Sequence, residues 1–309
     1  MSMLKLCNHI VPIRYRPITQ LIRHKLNINT HQQCQLGYLS KKTSGSTSSD
    51  SSTGKSSSPL FKRQSSADAE KTSFDLIVIG GGSGGLALSK EANILGKSIC
   101  VIDYVEPSHQ GTKWGLGGTC VNVGCIPKKL MHYSSINHDW IKMSDSYGWS
   151  IDTDNIKFNW STLVHNIQQY IKSLNFGYRS RLQRDNITYI NAKASFINST
   201  TIETIDSSGS ISTLHGKHIA ISVGGRPKLP DIPGSEYCIT SDDIFSLKNE
   251  PGKTLIIGAA YVALETAGFL TSFGYDTTVM ARSIYLRGFD QQCAGEIIDY
   301  MIMIIRSNT

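Results

Sequence analysis

No run of 18 consecutive apolar residues occurs in this 309-residue chain, so the usual signature of a membrane-spanning helix is missing. No acidic residue precedes Asp50, whereas Lys5, Arg14, Arg16, Arg23, Lys25, Lys41 and Lys42 all do. The net charge of +7 therefore resides in that head, and the remaining 24 basic side chains balance the 24 acidic ones. A neutral body behind a basic head lacks the basic surface that nucleic acid requires. The seven cysteines are odd in number and scattered, which excludes the even framework of a small secreted domain and points to a reducing compartment. No internal repeat of solenoid period is present.

The acid-free head also carries Leu4, Leu6, Ile10, Val11, Ile13, Leu21, Ile22 and Leu26. It has neither the compact apolar core nor the small-residue cleavage site of a secretory signal. Its composition is that of a mitochondrial transit peptide, so residues 1–42 are read as a basic presequence with a mitochondrial address; the alternative is a basic tail on a cytoplasmic protein. Residues 43–73 are rich in Ser and Gly with few apolar side chains, the composition of a linker. The folded body is expected to begin near Phe74.

There, F-D-L-I-V-I-G-G-G-S-G-G gives a short strand followed by Gly80-x-Gly82-x-x-Gly85 and a helix-forming stretch. A second strand, S-I-C-V-I-D, ends in Asp103, 23 residues after Gly80. Strand, glycine turn, helix and acid in this order form a dinucleotide fingerprint. Gly80 allows the tight turn, Gly82 lets the backbone approach a pyrophosphate, Gly85 lets helix and strand pack, and the helix N-terminus favours the anion. Asp103 is placed to accept from a ribose 2′-hydroxyl.

From Trp114 to Lys129 the chain reads W-G-L-G-G-T-C-V-N-V-G-C-I-P-K-K. In an undistorted helix Cys120 and Cys125 would be separated by about 7.5 Å of axial rise, beyond the roughly 7 Å between Cα atoms that a disulfide tolerates. A pairing would need a distorted first turn, which Gly124 and Pro127 suit. The helix N-terminus and Lys128 and Lys129 would favour a thiolate. Two unrelated buried cysteines beside a glycine-rich turn are the alternative.

Further on, residues 134–175 read as helical segments around a short extended piece, with Trp140, Tyr147, Trp149 and Trp160 expected in the core. Residues 187–223 read as a β-meander with a turn at Ser208-Gly209. T-L-I-I-G-A-A-Y-V-A-L-E-T-A-G-F-L is a second strand, turn and helix with a degraded pattern: Gly258 is kept, and Ala260 and Ala263 stand at the other two places. After the next strand, Arg282 and Arg287 stand where a binder of the 2′-hydroxyl would carry an acid, and two guanidiniums suit a 2′-phosphate. That favours NADPH over NADH.

The string G-G-T-C-V-N-V-G-C-I-P-K-K resembles the redox-disulfide segment of the flavin-dependent disulfide reductases. With E-P-S-H-Q-G-T-K-W-G-L upstream, L-M-H downstream and M-A-R-S-I-Y-L-R-G-F-D further on, the chain from about Phe74 to Asp290 is similar to the large, animal-type thioredoxin reductases. Glutathione reductases are the next most similar, but typically carry Arg-Arg where Lys90-Glu91 stands here and lack the W-G-L. Lipoamide dehydrogenases take NAD and carry Pro-Ser-Lys in place of Pro127-Lys128-Lys129.

The resemblance implies an α/β fold with two Rossmann-like FAD/NAD(P)-binding domains in three layers, residues 74–228 binding FAD and residues 229–309 forming a partial NADPH domain. It implies hydride passing from NADPH to FAD and on to a Cys120/Cys125 disulfide, with Cys125 next to the flavin and Cys120 the interchange thiol. Lys128 and Glu265 would pair beside the flavin and Tyr261 would cover the nicotinamide pocket. Cofactor contacts are carried over to Gly80, Gly82, Ser83, Gly84, Gly85, Asp103, Gly118, Thr119, Lys128, Ala194, Gly224 and Arg226 in the first part of the chain. In the second they fall on Gly258, Tyr261, Val262, Glu265, Arg282 and Arg287. Val223 stands where the family has a threonine. Thioredoxin is the implied partner and a homodimer the family's assembly. The family's second flavin-binding segment, interface domain, His-Glu pair and redox tail find no counterpart after Asp290. The chain reads as a C-terminally truncated reductase that does not turn over thioredoxin, and an inactive remnant is the alternative of another class. The stretch I-I-D-Y-M-I-M-I-I is expected to leave an apolar face unburied.

Overall fold

The computed structural model describes residues 9–13 and 72–306. The rest of the basic head and nearly all of the Ser-rich stretch lie outside the described residues. Short β-branched runs form the parallel strands β2 (Ser73–Ile79) and β3 (Ile99–Asp103), joined by helix α1 (Ser83–Ile94). Ile77, Val78, Cys100 and Val101 are completely buried, as expected of parallel strands covered on both faces. Two long strands, β4 (Thr188–Asn198) and β6 (Ile211–Ile221), flank them in parallel, beside β3 and β2 respectively. Their far halves pair antiparallel with β5 (Thr201–Asp206), closing the ring of pairings β2-β3-β4-β5-β6. The expected meander is therefore present, with its turn at Gly209 (φ +84°).

Neighbouring positions on the strands point to opposite layers. Ile77, Cys100 and Ile102 pack with Ala192, Ile202 and Leu214 on the meander side. Val78, Val101 and Ile99 pack with Leu182 and Leu116 on the other side, beneath α4 (Trp160–Arg184). Helix, parallel strands and meander give the three layers expected of the first part of the chain.

Between β3 and α4 lie α2 (Gly118–Asn122) and α3 (Cys125–Lys142). The second sheet consists of β1 (His9–Ile13), β8 (Thr277–Ala281) and β7 (Thr254–Ile257), in that order. Strand β7 is joined through α5 (Tyr261–Ser272) to the parallel β8, and α6 (Gln291–Arg306) follows. Strand β1 runs antiparallel to β8. This pairing was not expected of a presequence. Pro12 suits it, because an edge strand needs no N–H on its open side. A shared cluster of Met131, Trp160, Ile167, Phe245, Phe269 and Leu270 joins α3, α4 and α5.

Trp160 is buried as expected, at 3% exposure, but Trp140, Tyr147 and Trp149 are 68%, 67% and 71% exposed. Trp140 lies near the far end of α3, and a 3-10 turn over Ser144–Tyr147 closed by left-handed Gly148 carries the other two outward. Aromatic content alone did not distinguish a surface turn from the core. Of the apolar α6 stretch, Ile298 and Met301 pack on Leu264, Ala267 and Val279, while Ile297 and Tyr300 stay exposed. The expected apolar face is thus partly covered.

Candidate active site

The glycine turn after β2 is dictated by crowding. Gly80 has φ +109°, and a Cβ there would lie 2.2 Å from the Ser222 carbonyl oxygen. A Cβ on Gly85 would lie 1.9 Å from the Gly80 oxygen, so α1 can close on the strand only as glycine. The Ser222 N–H donates to the Ile79 oxygen at 2.7 Å, which brings the turn Ser222–Arg226 back beside the fingerprint. The degraded second motif has a different demand. A Cβ on Gly258 (φ +140°) would meet the Ala263 Cβ at 3.7 Å, an ordinary contact. Alanine at 263 leaves room at this turn, while the positive φ of Gly258 still calls for glycine.

Between these turns is a cleft of about 530 Å³. Gly80, Gly82, Ser83, Gly84 and Asp103 line one end, and Gly224 and Arg226 the returning turn. Gly118, Thr119, Cys120, Cys125 and Lys128 line it from the cysteine segment, and Tyr261, Val262 and Glu265 from α5. Other expected residues lie off this wall. Gly85 is beneath the turn, and Ala194 sits opposite Thr204 in the meander, against the first core. Gly258 is bonded through its N–H to the Met280 oxygen at 3.0 Å. Arg282 is exposed, and Arg287 donates from Nη2 to Ser283 Oγ at 2.9 Å. The Leu286 N–H donates to the Ala259 oxygen at 2.8 Å, folding the arginine loop onto the second glycine turn.

Helix α2 ends at Asn122 and α3 starts at Cys125, so the expected distortion is a complete break across Val123 and Gly124. Gly124 is needed for space: a Cβ would sit 2.8 Å from the Thr119 oxygen and 3.2 Å from the Cys120 Cα. Pro127 is buried in the first turn of α3, where its missing N–H leaves no helix bond unmade. The break sets Cys120 and Cys125 side by side, near enough for the Cys125 thiol to affect the ionisation of Cys120. Burial raises the Cys120 thiol above its ordinary value, the neighbouring Cys125 adds to this, and Lys128 opposes it only weakly. The expected thiolate is thus not favoured at Cys120 in the dithiol form, because desolvation outweighs the cation. Lys129 turns away, its Nζ 4.9 Å from the centre of the Tyr133 ring.

Lys128 Nζ and Glu265 Oε1 are 2.7 Å apart, the expected pair, linking α3 to α5 across the cleft. Asp103 Oδ1 accepts from the Gly81 N–H at 2.8 Å, so one oxygen orders the glycine turn. Burial pushes the Asp103 carboxyl above the ordinary carboxylate range despite that bond. Arg226 donates to Asp242 at 2.9 Å and to the Glu106 carbonyl at 2.8 Å, and lies 4.6 Å from the centre of the Trp114 ring. Its guanidinium anchors the returning turn. Phe245 and Asp242 were missed by motif reading; only the tertiary return of Thr240–Phe245 brings them here. His132 is exposed, and His138 has Nδ1 2.7 Å from the Ser272 carbonyl oxygen.

The glycine cradle at the N-terminus of α1, the cleft beside it and the paired thiols fit a dinucleotide flavin next to a dithiol. The description pyridine nucleotide-disulphide oxidoreductase matches residues 74–303. The chain belongs to the pyridine nucleotide-disulphide oxidoreductase family. It is 55% identical over 234 residues to a thioredoxin reductase of Emiliania huxleyi, covering 75% of this chain and 47% of that protein. To a thioredoxin reductase of Plasmodium falciparum it is 53% identical over 234 residues, covering 74% of this chain and 43% of that protein. The chain thus spans less than half the length of these relatives. The matched region of the family contains both glycine turns, the thiol pair and the Lys128–Glu265 bridge.

Proposed function

We propose that this chain carries the flavin- and NADPH-binding part of a large, animal-type thioredoxin reductase, with FAD and NADPH as cofactors and Cys120/Cys125 as its redox-active pair. The observation that carries the reading is the placement of two neighbouring thiols on the wall of the cleft that also holds the glycine cradle. Among family members, the names of the two relatives above favour thioredoxin as the acceptor, and a homodimer is the proposed assembly.

When bound, the flavin supplies two-electron transfer between a nicotinamide and a disulfide. The residues of the chain do the rest. Gly80, Gly82, Ser83 and Gly84 leave the backbone bare at the N-terminus of α1, so N–H groups can face a pyrophosphate. Asp103 holds the turn through Gly81 and offers its second oxygen to a ribose. Cys125 opens α3 and faces the cleft, and Cys120, more shielded, is the thiol released for exchange. The Lys128–Glu265 bridge holds a cation at the cleft without leaving it unpaired, and Tyr261 closes the side formed by α5. Arg282 and Arg287, on the loop tied to Ala259, supply charge for a 2′-phosphate.

The test is to purify the chain with added FAD and reduce it anaerobically with NADPH. Flavin should co-purify and bleach, and Cys120→Ser should bleach with fewer equivalents of NADPH, because it has no disulfide to accept the second pair of electrons. Protein that stays colourless at saturating FAD would refute the reading. The basic residues 1–42 support a mitochondrial address, tested by fusing residues 1–45 to a reporter; a diffuse cytoplasmic signal would refute it. Since β1 falls within this segment, cleavage on import would remove an edge strand from the second sheet.

A further inference from the structure

The carboxamides of Asn122 and Asn175 have no part in the chemistry above, yet both grip the segment that carries it. Asn122 lies between the two cysteines in sequence and is 2% exposed. Its Nδ2 donates to the Gly115 carbonyl at 3.1 Å and the Gly118 carbonyl at 2.8 Å. Its Oδ1 accepts from Asn175 Nδ2 at 2.9 Å, and the same Nδ2 donates to the Leu116 carbonyl at 2.7 Å. Two amides, one from α2 and one from α4, therefore satisfy two carbonyls of the loop that leads into α2 and that of Gly118 at its start. That loop is pressed on the fingerprint turn. The Gly117 N–H donates to the Gly81 oxygen at 3.0 Å, and a Cβ on Gly118 would lie 2.6 Å from the Gly82 Cα. A Cβ on Gly115 would lie 2.7 Å from Asn175 Oδ1, so the loop is in close contact with α4 as well.

A five-residue helix has too few bonds of its own to hold an orientation, and continuing it into α3 would draw the cysteines apart. Something outside α2 must fix the break. We propose that Asn122 and Asn175 are positioning residues of the redox pair: their amides hold α2 at the angle to α3 that keeps the two sulfurs together, and so favour disulfide over dithiol. The inference rests on reading Cys120 and Cys125 as that pair. It concerns the equilibrium in which both thiols exchange with oxidised glutathione. One sulfur–sulfur bond forms in the protein and one breaks in glutathione, and two electrons and two protons pass to the two glutathione thiols released.

The test uses the whole 309-residue chain without flavin, equilibrated in glutathione redox buffers, with the state of Cys120 and Cys125 read by differential alkylation and peptide mass. Asn122→Asp keeps the shape but, ionised, has no donors; Asn175→Leu and Asn175→Ser leave Asn122 in place and carry the comparison independently. As a control, Gln168→Leu removes another amide of α4, which donates to the Phe245 carbonyl at 2.8 Å and not to a carbonyl of the loop. The loss of loop bonds should shift the equilibrium constant toward dithiol by about tenfold in the Asn variants, with the Gln168 variant at the wild-type value. Wild-type values in the Asn175 variants, or an equal shift in the Gln168 variant, would overturn the proposal. Failure of the wild-type chain to form a Cys120–Cys125 disulfide in oxidising buffer would overturn the redox reading itself, and this inference with it.

Discussion

Gly124→Ala tests the helix break where the structure is least tolerant. The new methyl would meet the Thr119 oxygen at 2.8 Å and the Thr119 carbonyl carbon and Cys120 Cα at 3.2 Å, all of them backbone of α2. No flexible side chain can yield, so α2 must move away from α3 by several tenths of an ångström. Overpacking of this kind costs about 1–3 kcal/mol, offset by about 0.4–1 kcal/mol from the lower entropy of the unfolded chain. The net expectation is a loss of about 1–2 kcal/mol, or roughly 2–8 °C in Tm for a folded body of this size. Gly177→Ala is the control: it lies within α4, with nothing within 4 Å of the added methyl. It should gain about 0.5–1 kcal/mol from helix preference alone. Both are read by thermal unfolding followed by circular dichroism, with alkylation of the two cysteines under the same buffers. A Gly124→Ala protein as stable as the wild type, with the same thiol reactivity, would show that the break needs no glycine.

Arg282→Ala with Arg287→Ala should weaken NADPH binding far more than NADH binding, at about 1.5–3 kcal/mol for each charge-assisted bond lost; an unchanged preference in fluorescence titrations would make both arginines plain surface charge. Burial raises Asp139 from 3.8 to about 6, and its Oδ1 has no hydrogen-bond partner among the described residues. A raised carboxylate favours the native state below the unfolded value and loses that advantage as the pH climbs from about 4 to 6. At pH 7 the full shift would correspond to about 3 kcal/mol, which solvent screening of this partly exposed group reduces to about 1 kcal/mol. Asp139→Asn should therefore stabilise by about that amount at pH 7 and not at pH 4; equal effects at both would refute the assignment in denaturation curves. Cys238→Ser should leave flavin reoxidation by dithiol exchange unchanged, while Cys120→Ser and Cys125→Ser abolish it, and equal losses in all three would remove the special role of the pair.

What could be read from the residues was what is decided locally. The packing of Gly85 and the break at Gly124 each follow from a close backbone approach within one short motif, and each has its counterpart in the fold, whereas the crowding at Gly80 comes from Ser222, far along the chain. The Lys128–Glu265 bridge spans 137 positions and was anticipated only through family likeness, since nothing in either local sequence names the other. Where the outcome depended on burial, the sequence was silent or misleading. Trp140, Tyr147 and Trp149 are apolar yet exposed, and Cys120 lies among cations yet is governed by desolvation. The grip of Asn122 and Asn175 and the edge pairing of β1 are long-range contacts between residues of ordinary type, with no spacing signal to mark them.

The most direct test is an anaerobic reductive titration of the FAD-loaded chain, counting electrons taken up per flavin. A flavin and a disulfide are each two-electron couples, so the oxidised wild-type chain should take up four electrons and the Cys120→Ser chain two. Uptake of two electrons by both would show that Cys120 and Cys125 do not exchange electrons with the flavin, and would contradict the redox assignment.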